Sequence, residues 1–269
     1  MNSEGEELGG GVVLYRNAVE IDWDFIREFS QKSAEKELAE MYAPGNDPIT
    51  GEEGYINRNG YFFPSASVWS MPRHCAHVHR DTDPEARTAL TALESARDEC
   101  LWDYLHKYPL AGKCIWWKIK GHVLVYPESC YLGLHSDQST DYEYGSPHPP
   151  DQIATRTVVS SVTFLNDSVE TEEELDGTNY LGGVTAWEYL GIKHRPNKGD
   201  IVLFPSNYMA AHSVSEVLRG TRYSHVGWYC HGTPNMEFNE AVTDPLKEPE
   251  LAKTTTNVYM AKGYKLPDA

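Results

Sequence analysis

The sequence is poor in three features that would point to particular protein classes: paired cysteines, long apolar runs and positive charge. Its five cysteines are scattered and none forms a Cys-x-x-Cys pair, so the sequence predicts reduced thiols and no zinc-ribbon site. No run of about 18 apolar residues occurs, so no membrane-spanning helix is expected. The stretch Met1 to Glu7 is acidic and lacks the pattern of a secretory signal. We therefore expect a cytoplasmic protein.

The shortage of positive charge argues against nucleic acid as a partner. Lys and Arg number 23 against 40 Asp and Glu, which gives a formal net charge of -17, whereas binding to a phosphate backbone needs clustered cations. Acidic residues gather in the N-terminal tail and in segments 137–143 and 170–176. A solvated surface is the simplest interpretation. The sharper hypothesis is that segment 137–143 favours a cationic substrate.

The size and composition are those of one globular domain. The chain has 269 residues, of which 40% are hydrophobic and 12% aromatic, enough for a sizeable core. No repeat or linker divides it. We expect a single domain over 1–269, with helical and loop support in 1–111, a β core in 112–231 and a C-terminal tail in 232–269.

The first part of the chain carries two helix signals. Asp22 is a plausible cap for a helix that begins within 22–29, after a short strand at 12–15. The clearest helix begins at 82–85, where a capping residue, a first-turn proline and an early acid follow one another, and Pro109 ends it. The stretch 43–83, with turn signals at 44–48 and 57–60, is expected to be loop-rich.

From about residue 112 the pattern is that of short strands. The segments are rich in β-branched and aromatic residues and are separated by turn residues; they span 115–120, 123–126, 157–165, 182–188, 201–204 and 223–229. Strands of this length and spacing are typical of a sandwich or jelly roll. The predicted fold class is mainly β, with a double-stranded β-helix core and N-terminal helices packed against its larger sheet.

The most informative motif is His135-Ser136-Asp137, combined with the later His212. Side chains two residues apart on an extended segment point the same way. A second imidazole from a later strand would complete two nitrogen ligands and one carboxylate on one face of a metal. This arrangement suits non-haem Fe(II) and leaves positions for a co-substrate and O₂.

Ten residues after His212, the pair Arg222 and Ser224 shows the same spacing of two. A guanidinium and a hydroxyl on one strand face can bind the carboxylate of a small molecule. The sequence therefore offers a cationic site to go with the metal site.

These residues occur in an order that resembles the Fe(II)/2-oxoglutarate-dependent dioxygenases, in their prolyl-4-hydroxylase-like branch. The resemblance covers roughly 115–230, and its matching stretches are 124–127, 135–137, 162–166, 181–185, 196–204, His212 and 220–224 running to Trp228. The first 110 residues match only in outline, as a strand and helices that support the core.

The resemblance implies a role for each site residue. His135, Asp137 and His212 would bind Fe(II). Arg222 would form a salt bridge with the C5 carboxylate of 2-oxoglutarate, with Ser224 assisting, and Tyr126 would approach this co-substrate. The remaining implied partners are O₂ and, as a candidate reductant, ascorbate.

Two departures from the pattern bear on function. Some relatives place a second tyrosine at the C5 carboxylate, and here that position falls near Thr163-Phe164, which puts the contact in doubt. Halogenating relatives have a small residue in place of the carboxylate ligand, so the presence of Asp137 argues against halogenation.

The implied reaction is hydroxylation, or another oxidation, at an unactivated C–H bond with release of succinate and CO₂. A small-molecule substrate, such as a free amino acid or a biosynthetic intermediate, is favoured because segments 138–153 and 168–177 could close over a compact substrate. The alternative within this class is a peptidyl prolyl 4-hydroxylase. The alternative from another class is a non-catalytic, cupin-like binding protein, which would not need the site residues at matching positions.

Two further sets of residues have simpler interpretations. His74, His77 and His79 are a second metal candidate, but no carboxylate with comparable spacing accompanies them, and a hydrogen-bonding or substrate-facing role is favoured. Trp116, Trp117, Trp187 and Trp228 are interpreted as core residues; a tryptophan that lines an open pocket would contradict this.

Overall fold

The computed structural model describes residues 4–57, 60–64, 73–77, 83–138, 157–231 and 255–257. Within these ranges, no helix is long and apolar enough to cross a membrane. Most of the predicted insertion 138–153 and of the predicted C-terminal tail lies outside the described residues.

Among the described residues, three α-helices precede the main strands: α1 (Trp23–Met41), α2 (Pro84–Lys107) and the short α3 (Pro109–Gly112). The Asp22 carboxylate accepts a hydrogen bond from the Phe25 backbone N–H at 2.9 Å, and Asp83 caps α2 in the same way. Both predicted caps are confirmed. The long helix also ends just before Pro109, as predicted, because proline cannot supply the N–H that would continue it.

The strands account for most of the remaining described residues. Their bounds are β1 Glu6–Gly9, β2 Val12–Tyr15, β3 Tyr42–Asn46, β4 Glu53–Asn57, β5 Phe62–Pro64, β6 Arg73–His77, β7 Ile115–Tyr126, β8 Leu132–His135, β9 Thr157–Phe164, β10 Ser168–Val169, β11 Tyr180–Gly182, β12 Thr185–Trp187, β13 Ile192–His194, β14 Ile201–Pro205, β15 His212–Val214, β16 Val217–Gly220, β17 Arg222–His231 and β18 Thr255–Asn257.

The loop-rich stretch predicted over 43–83 also contains short strands that the sequence did not reveal. Strands β3, β4 and β5 form a three-stranded antiparallel sheet, in which Asp47 accepts hydrogen bonds from two backbone N–H groups and Gly51 adopts φ +76°. These are turn residues of a hairpin. Sequence alternation missed the strands because they are exposed or half-buried on both faces.

Two antiparallel sheets frame the interior. The larger has the order β1-β2-β14-β9-β17-β7-β18, and β6 also pairs with β7. The smaller is four-stranded, with the order β13-β12-β15-β8. A further small sheet contains β10, β11 and β16. The fold is thus mainly β with few helices, as the sequence predicted.

Strand alternation gives the larger sheet two buried faces. One packs against α1 and α2 through a cluster that includes Leu90, Leu93, Leu101 and Tyr229. The opposite face packs toward the four-stranded sheet through residues such as Phe164, Trp187, Phe204 and Val226. Because β17 is central and buried on both faces, its successive side chains enter two different environments.

Candidate active site

Three potential metal ligands converge on the four-stranded sheet. His135 ends β8 and lies directly opposite His212 at the start of β15, and Asp137 follows two residues after His135. One ligand atom from each lies within 4.8 Å of the other two. The Nε2 atoms of His135 and His212 lie 3.5 Å and 3.9 Å from Asp137 Oδ1. Within the described part of the chain, these three side chains form the one group of His, Cys, Asp or Glu residues that is close enough together to hold a metal ion.

Backbone carbonyls orient both imidazoles. His135 Nδ1 lies 2.9 Å from the Gly133 carbonyl oxygen, and His212 Nδ1 lies 3.3 Å from the Ala210 carbonyl oxygen. A proton on each Nδ1 would donate to that carbonyl and leave the Nε2 lone pair directed at the shared centre. This outer contact is the arrangement that fixes the tautomer of metal-binding histidines.

The ionisation of the three side chains follows from their burial and proximity. Burial opposes charge on Asp137, but the hydrogen bond from His135 and the charge of His212 outweigh it and lower the pKa to about 2. Burial lowers the pKa of His212 to about 4. Burial also opposes charge on His135, yet the hydrogen bond to Asp137 raises its pKa overall. A carboxylate and a neutral imidazole are therefore the forms of Asp137 and His212 near pH 7.

A buried cation faces the same interior. Arg222 is only 1% exposed, and its guanidinium carbon lies 4.5 Å from the centre of the Tyr126 ring and 5.6 Å from that of Phe164. Its Nη2 donates to Thr185 Oγ1 at 3.4 Å. Its Nε and Nη1, and the nearby hydroxyl of Ser224, make no hydrogen bond within the described structure. Buried donors without acceptors are costly and suit an anionic ligand.

The metal-ligand cluster and Arg222 line one cavity of about 220 Å³. Alternation places Arg222, Ser224, Val226 and Trp228 of β17 on its wall, with the neighbouring strand β7 adding side chains at the same spacing. The lining residues are His122, Leu124, Tyr126, Leu132, His135, Asp137, Ser161, Val162, Thr185, His212, Val214, Arg222, Ser224, Val226 and Trp228. Every predicted site residue is in this set.

Sequence reasoning missed one wall of the cavity. The His122 and Trp228 rings lie 5.5 Å apart, centre to centre, and both face the cavity. The interpretation of Trp228 as a core residue was therefore wrong; its even spacing from Arg222 on an extended segment was the signal that could have revealed it. Trp187 is fully buried in the core, as predicted, and the side chains of Trp116 and Trp117 lie outside the described structure.

The second histidine group comprises His74, His77 and His79. Within β6, His77 pairs in register with His122 of β7, but the side chains of His74 and His77, and all of His79, lie outside the described residues. Their role stays a prediction.

The acidic segment 168–177 does not line the cavity, contrary to the idea that it closes over a substrate. Glu170 and Glu172 instead lie 3.5 Å from Arg195 and 3.7 Å from Arg219, and Glu174 accepts hydrogen bonds from backbone N–H groups of the same segment. The segment is held to the exterior by these contacts. Residues 139–156, which contain most of the other predicted closing segment, are outside the described ranges.

Comparison with known proteins agrees with this geometry. Residues 121–230 match the sequence profile described as the 2OG-Fe(II) oxygenase superfamily. No curated protein matches the chain.

Similar solved structures include three hydroxylases. A Pseudomonas putida prolyl-4-hydroxylase shares 18% identity at a TM-score of 0.44, over 83% of this chain and 94% of its own. The viral collagen prolyl hydroxylase of Paramecium bursaria Chlorella virus-1 shares 16% at 0.44, over 86% and 98%. A Trichoplax adhaerens prolyl hydroxylase, in complex with a peptide of hypoxia inducible factor, shares 16% at 0.47, over 82% and 84%.

Proposed function

We propose that this chain, whose residues 121–230 match the 2OG-Fe(II) oxygenase superfamily profile, is a member of that family and hydroxylates an unactivated C–H bond of a small molecule, such as a free amino acid or biosynthetic intermediate. The family's metal and co-substrates are Fe(II), 2-oxoglutarate and O₂, and the products from 2-oxoglutarate are succinate and CO₂. The observation that carries the proposal is one cavity lined by both a His-Asp-His cluster and a buried arginine with unfilled donors.

In this proposal His135, Asp137 and His212 hold the iron. Two imidazole nitrogens and one carboxylate oxygen are the donor set that non-haem Fe(II) sites use, with positions left open. The depressed pKa values of Asp137 and His212 keep these two side chains in their metal-binding forms. Bound iron would supply the oxidising chemistry; the protein supplies the geometry and a cavity shielded from water.

The other end of the cavity would bind the C5 carboxylate of 2-oxoglutarate. Arg222 would donate through Nε and Nη1, and Ser224 through its hydroxyl, because these buried donors have no acceptor among the residues that the structure describes. The Tyr126 ring lies under the guanidinium and also lines the cavity, which supports its predicted approach to the co-substrate. A charge-assisted pair of this kind fixes the orientation of the bound acid.

The fold proposal follows from the same arrangement. We infer that the larger sheet and the four-stranded sheet are the two halves of a double-stranded β-helix within a single domain. The metal ligands come from the smaller sheet and the turn after β8, whereas Arg222 comes from the larger one, so the cavity lies between them.

The part of the β17 and β7 wall that lies away from Arg222 is the proposed place for the reacting part of the substrate. His122, Trp228 and Val226 offer aromatic and apolar surface, with the Ser161 hydroxyl beside them. A cavity of about 220 Å³ that also receives 2-oxoglutarate has room for a compact group. Of the described lining residues, Asp137 alone carries a carboxylate, so a preference for cationic substrates would depend on 139–143 and stays a prediction.

The first test is the anaerobic absorption spectrum with Fe(II) and 2-oxoglutarate. Bidentate binding of the oxo acid to iron should produce a weak visible charge-transfer band, and His135→Ala should abolish it. His106→Ala is the matched control, because His106 lies on α2 and bonds to the Trp102 carbonyl; its band should equal that of the wild type. A wild-type protein without the band would refute the proposal.

The second test separates the candidate substrates. Succinate formation under air should be stimulated by one or more free amino acids or related metabolites. Stimulation by proline-containing peptides alone would instead establish the peptidyl prolyl 4-hydroxylase alternative. A protein that binds these ligands without forming succinate would be the cupin-like binding protein.

A further inference from the structure

Tyr180 is a buried phenol that the proposed mechanism does not yet use. It is the first residue of β11 and is fully buried. Its hydroxyl makes no hydrogen bond with any residue that the structure describes. Leaving a buried hydroxyl unpaired costs free energy, so a hydrogen-bond partner for Tyr180 in the ligand-bound protein would be favourable.

The side chains of Tyr180 and Arg222 both lie over Gly183. A Cβ built on Gly183 would lie 2.7 Å from Tyr180 Cε2 and 3.0 Å from Arg222 Cδ. Gly183 also has φ +58°, a conformation that glycine adopts readily. The absence of a side chain at Gly183 therefore allows the phenol ring and the arginine stem to approach each other.

The Tyr180 hydroxyl is close enough to Arg222 for the charge of the guanidinium to act on its pKa. Burial raises the pKa of Tyr180 to about 12, while the charge of Arg222 and its hydrogen-bonding reach oppose that rise. The hydroxyl is thus protonated at neutral pH, and its oxygen is within the influence of a cation whose Nε and Nη1 are unfilled. Tyr180 does not line the cavity, so it approaches Arg222 from behind the ligand site.

The other contacts leave the guanidinium incompletely fixed. Tyr126 and Phe164 present ring faces to it, and the bond from Nη2 to Thr185 is long at 3.4 Å. Phe164 has no hydroxyl, so it offers the guanidinium no hydrogen-bond acceptor.

We propose that Tyr180 is a positioning residue for 2-oxoglutarate: when the ligand binds, the Tyr180 hydroxyl oxygen, unpaired in the described structure, accepts a hydrogen bond from Arg222 and holds the guanidinium against the distal carboxylate. This inference rests on the proposed function, in which Arg222 binds that carboxylate. It predicts that Tyr180 matters only for ligands that possess a distal carboxylate, a dependence that a purely structural role would not produce.

The experiment measures the affinity of the Fe(II)-loaded protein for two oxo acids under anaerobic conditions, by calorimetry or by the visible band. One ligand is 2-oxoglutarate and the other is 2-oxobutyrate, which lacks the distal carboxylate. Tyr180→Phe should weaken 2-oxoglutarate binding by about 5- to 10-fold, the range for one hydrogen bond. Its affinity for 2-oxobutyrate should stay within about 2-fold of the wild type. The control is Tyr104→Phe, which loses a hydroxyl that donates to the Gly11 carbonyl at 2.9 Å. This variant should bind both oxo acids as tightly as the wild type.

The outcomes separate the two proposals. If Tyr180→Phe weakens both ligands equally, or neither, the positioning role is overturned. Arg222→Ala is measured alongside. Loss of 2-oxoglutarate binding in Arg222→Ala with no selective effect in Tyr180→Phe would overturn this inference alone, whereas normal binding in Arg222→Ala would overturn the proposed function as well.

Discussion

The two faces of the larger sheet both bury charged side chains, but those charges differ in how many partners they have within the protein. On the face toward α2, Lys118 Nζ lies 2.7 Å from Asp98 and 3.7 Å from Glu94. The Tyr229 hydroxyl donates to the other oxygen of Asp98 at 2.9 Å, and the Gly121 N–H donates to Glu94 at 2.9 Å. Each of these charges therefore has partners within the protein.

On the cavity face, by contrast, Arg222 and Ser224 retain donors with no acceptor in the described structure. Burial of polar groups costs free energy on both faces of β17. Ion pairs and hydrogen bonds offset that cost for Lys118, Asp98 and Glu94 on the helix face, whereas Arg222 has a single long hydrogen bond to Thr185 among the described residues. In the proposed function the open donors of Arg222 and Ser224 bind a ligand, whereas the paired charges on the helix face stabilise the fold.

The largest effect is expected from breaking the closed network. Lys118→Ala would leave Asp98 and Glu94 buried without their cation, and should lower the free energy of unfolding by about 3–5 kcal/mol, measured by urea denaturation. Lys32→Ala is the matched control, because Lys32 pairs with Glu28 at 4.0 Å on the exposed surface of α1 and should cost less than about 0.5 kcal/mol. Equal losses in the two variants would contradict the account of the helix face.

Removing Arg222, the cation on the cavity face, should affect ligand affinity strongly and the stability of the fold little. Arg222→Ala should weaken 2-oxoglutarate binding by on the order of 2–5 kcal/mol, yet change the free energy of unfolding of the ligand-free protein by less than about 1 kcal/mol, because few internal hydrogen bonds are lost. Calorimetric titration and denaturation measure the two quantities. Arg219→Ala, which removes an exposed pair with Glu128 at 2.9 Å, should change neither. If Arg222→Ala is as destabilised as Lys118→Ala but binds 2-oxoglutarate with normal affinity, the proposed difference between the two faces is wrong.

A smaller effect is expected from crowding the helix face. A Cβ on Gly227 would lie only 1.3 Å from Arg97 Nη1, and Arg97 is fully buried, so its guanidinium would have to shift within a packed region. Gly227→Ala should therefore cost about 2–3 kcal/mol of unfolding free energy. Gly133→Ala, on β8 with nothing within 4 Å of its Cβ, should cost less than about 1 kcal/mol. If the two alanine variants unfold at the same urea concentration, the packing around Arg97 is not as tight as the structure indicates.

The smallest effect concerns pH and His194, whose ring lies 5.3 Å from that of Phe164. Burial lowers the pKa of His194 from 6.5 to about 4, so the unfolded chain takes up a proton at this residue before the folded protein does. The stability that His194 contributes to the folded protein in its neutral form is fully present above pH 6.5, and it is lost as the pH falls toward 4. Between pH 7 and 5, metal-free wild type should lose about 1–2 kcal/mol more than His194→Gln. Parallel losses in the two proteins would show that His194 titrates normally.

The sequence predicted those parts of the site that depend on alternation along one extended segment. His135 with Asp137, and Arg222 with Ser224, follow from a spacing of two, and the caps Asp22 and Asp83 follow from local hydrogen bonding. Tyr180 could not be found in this way, because β11 has only three residues and its contact with Arg222 depends on the backbone at Gly183. The strands β3 to β5 were also missed, since neither face of them shows a continuous apolar pattern.

The central claim is that the open groups of the cavity face bind a metal and a dicarboxylate together. Its most direct test is a crystal structure of the protein with Mn(II) and 2-oxoglutarate. The account predicts a metal about 2.0–2.2 Å from His135 Nε2, His212 Nε2 and an Asp137 oxygen, with the distal carboxylate about 2.7–2.9 Å from the Arg222 guanidinium. A metal bound away from these three side chains, or a carboxylate that does not contact Arg222, would contradict it.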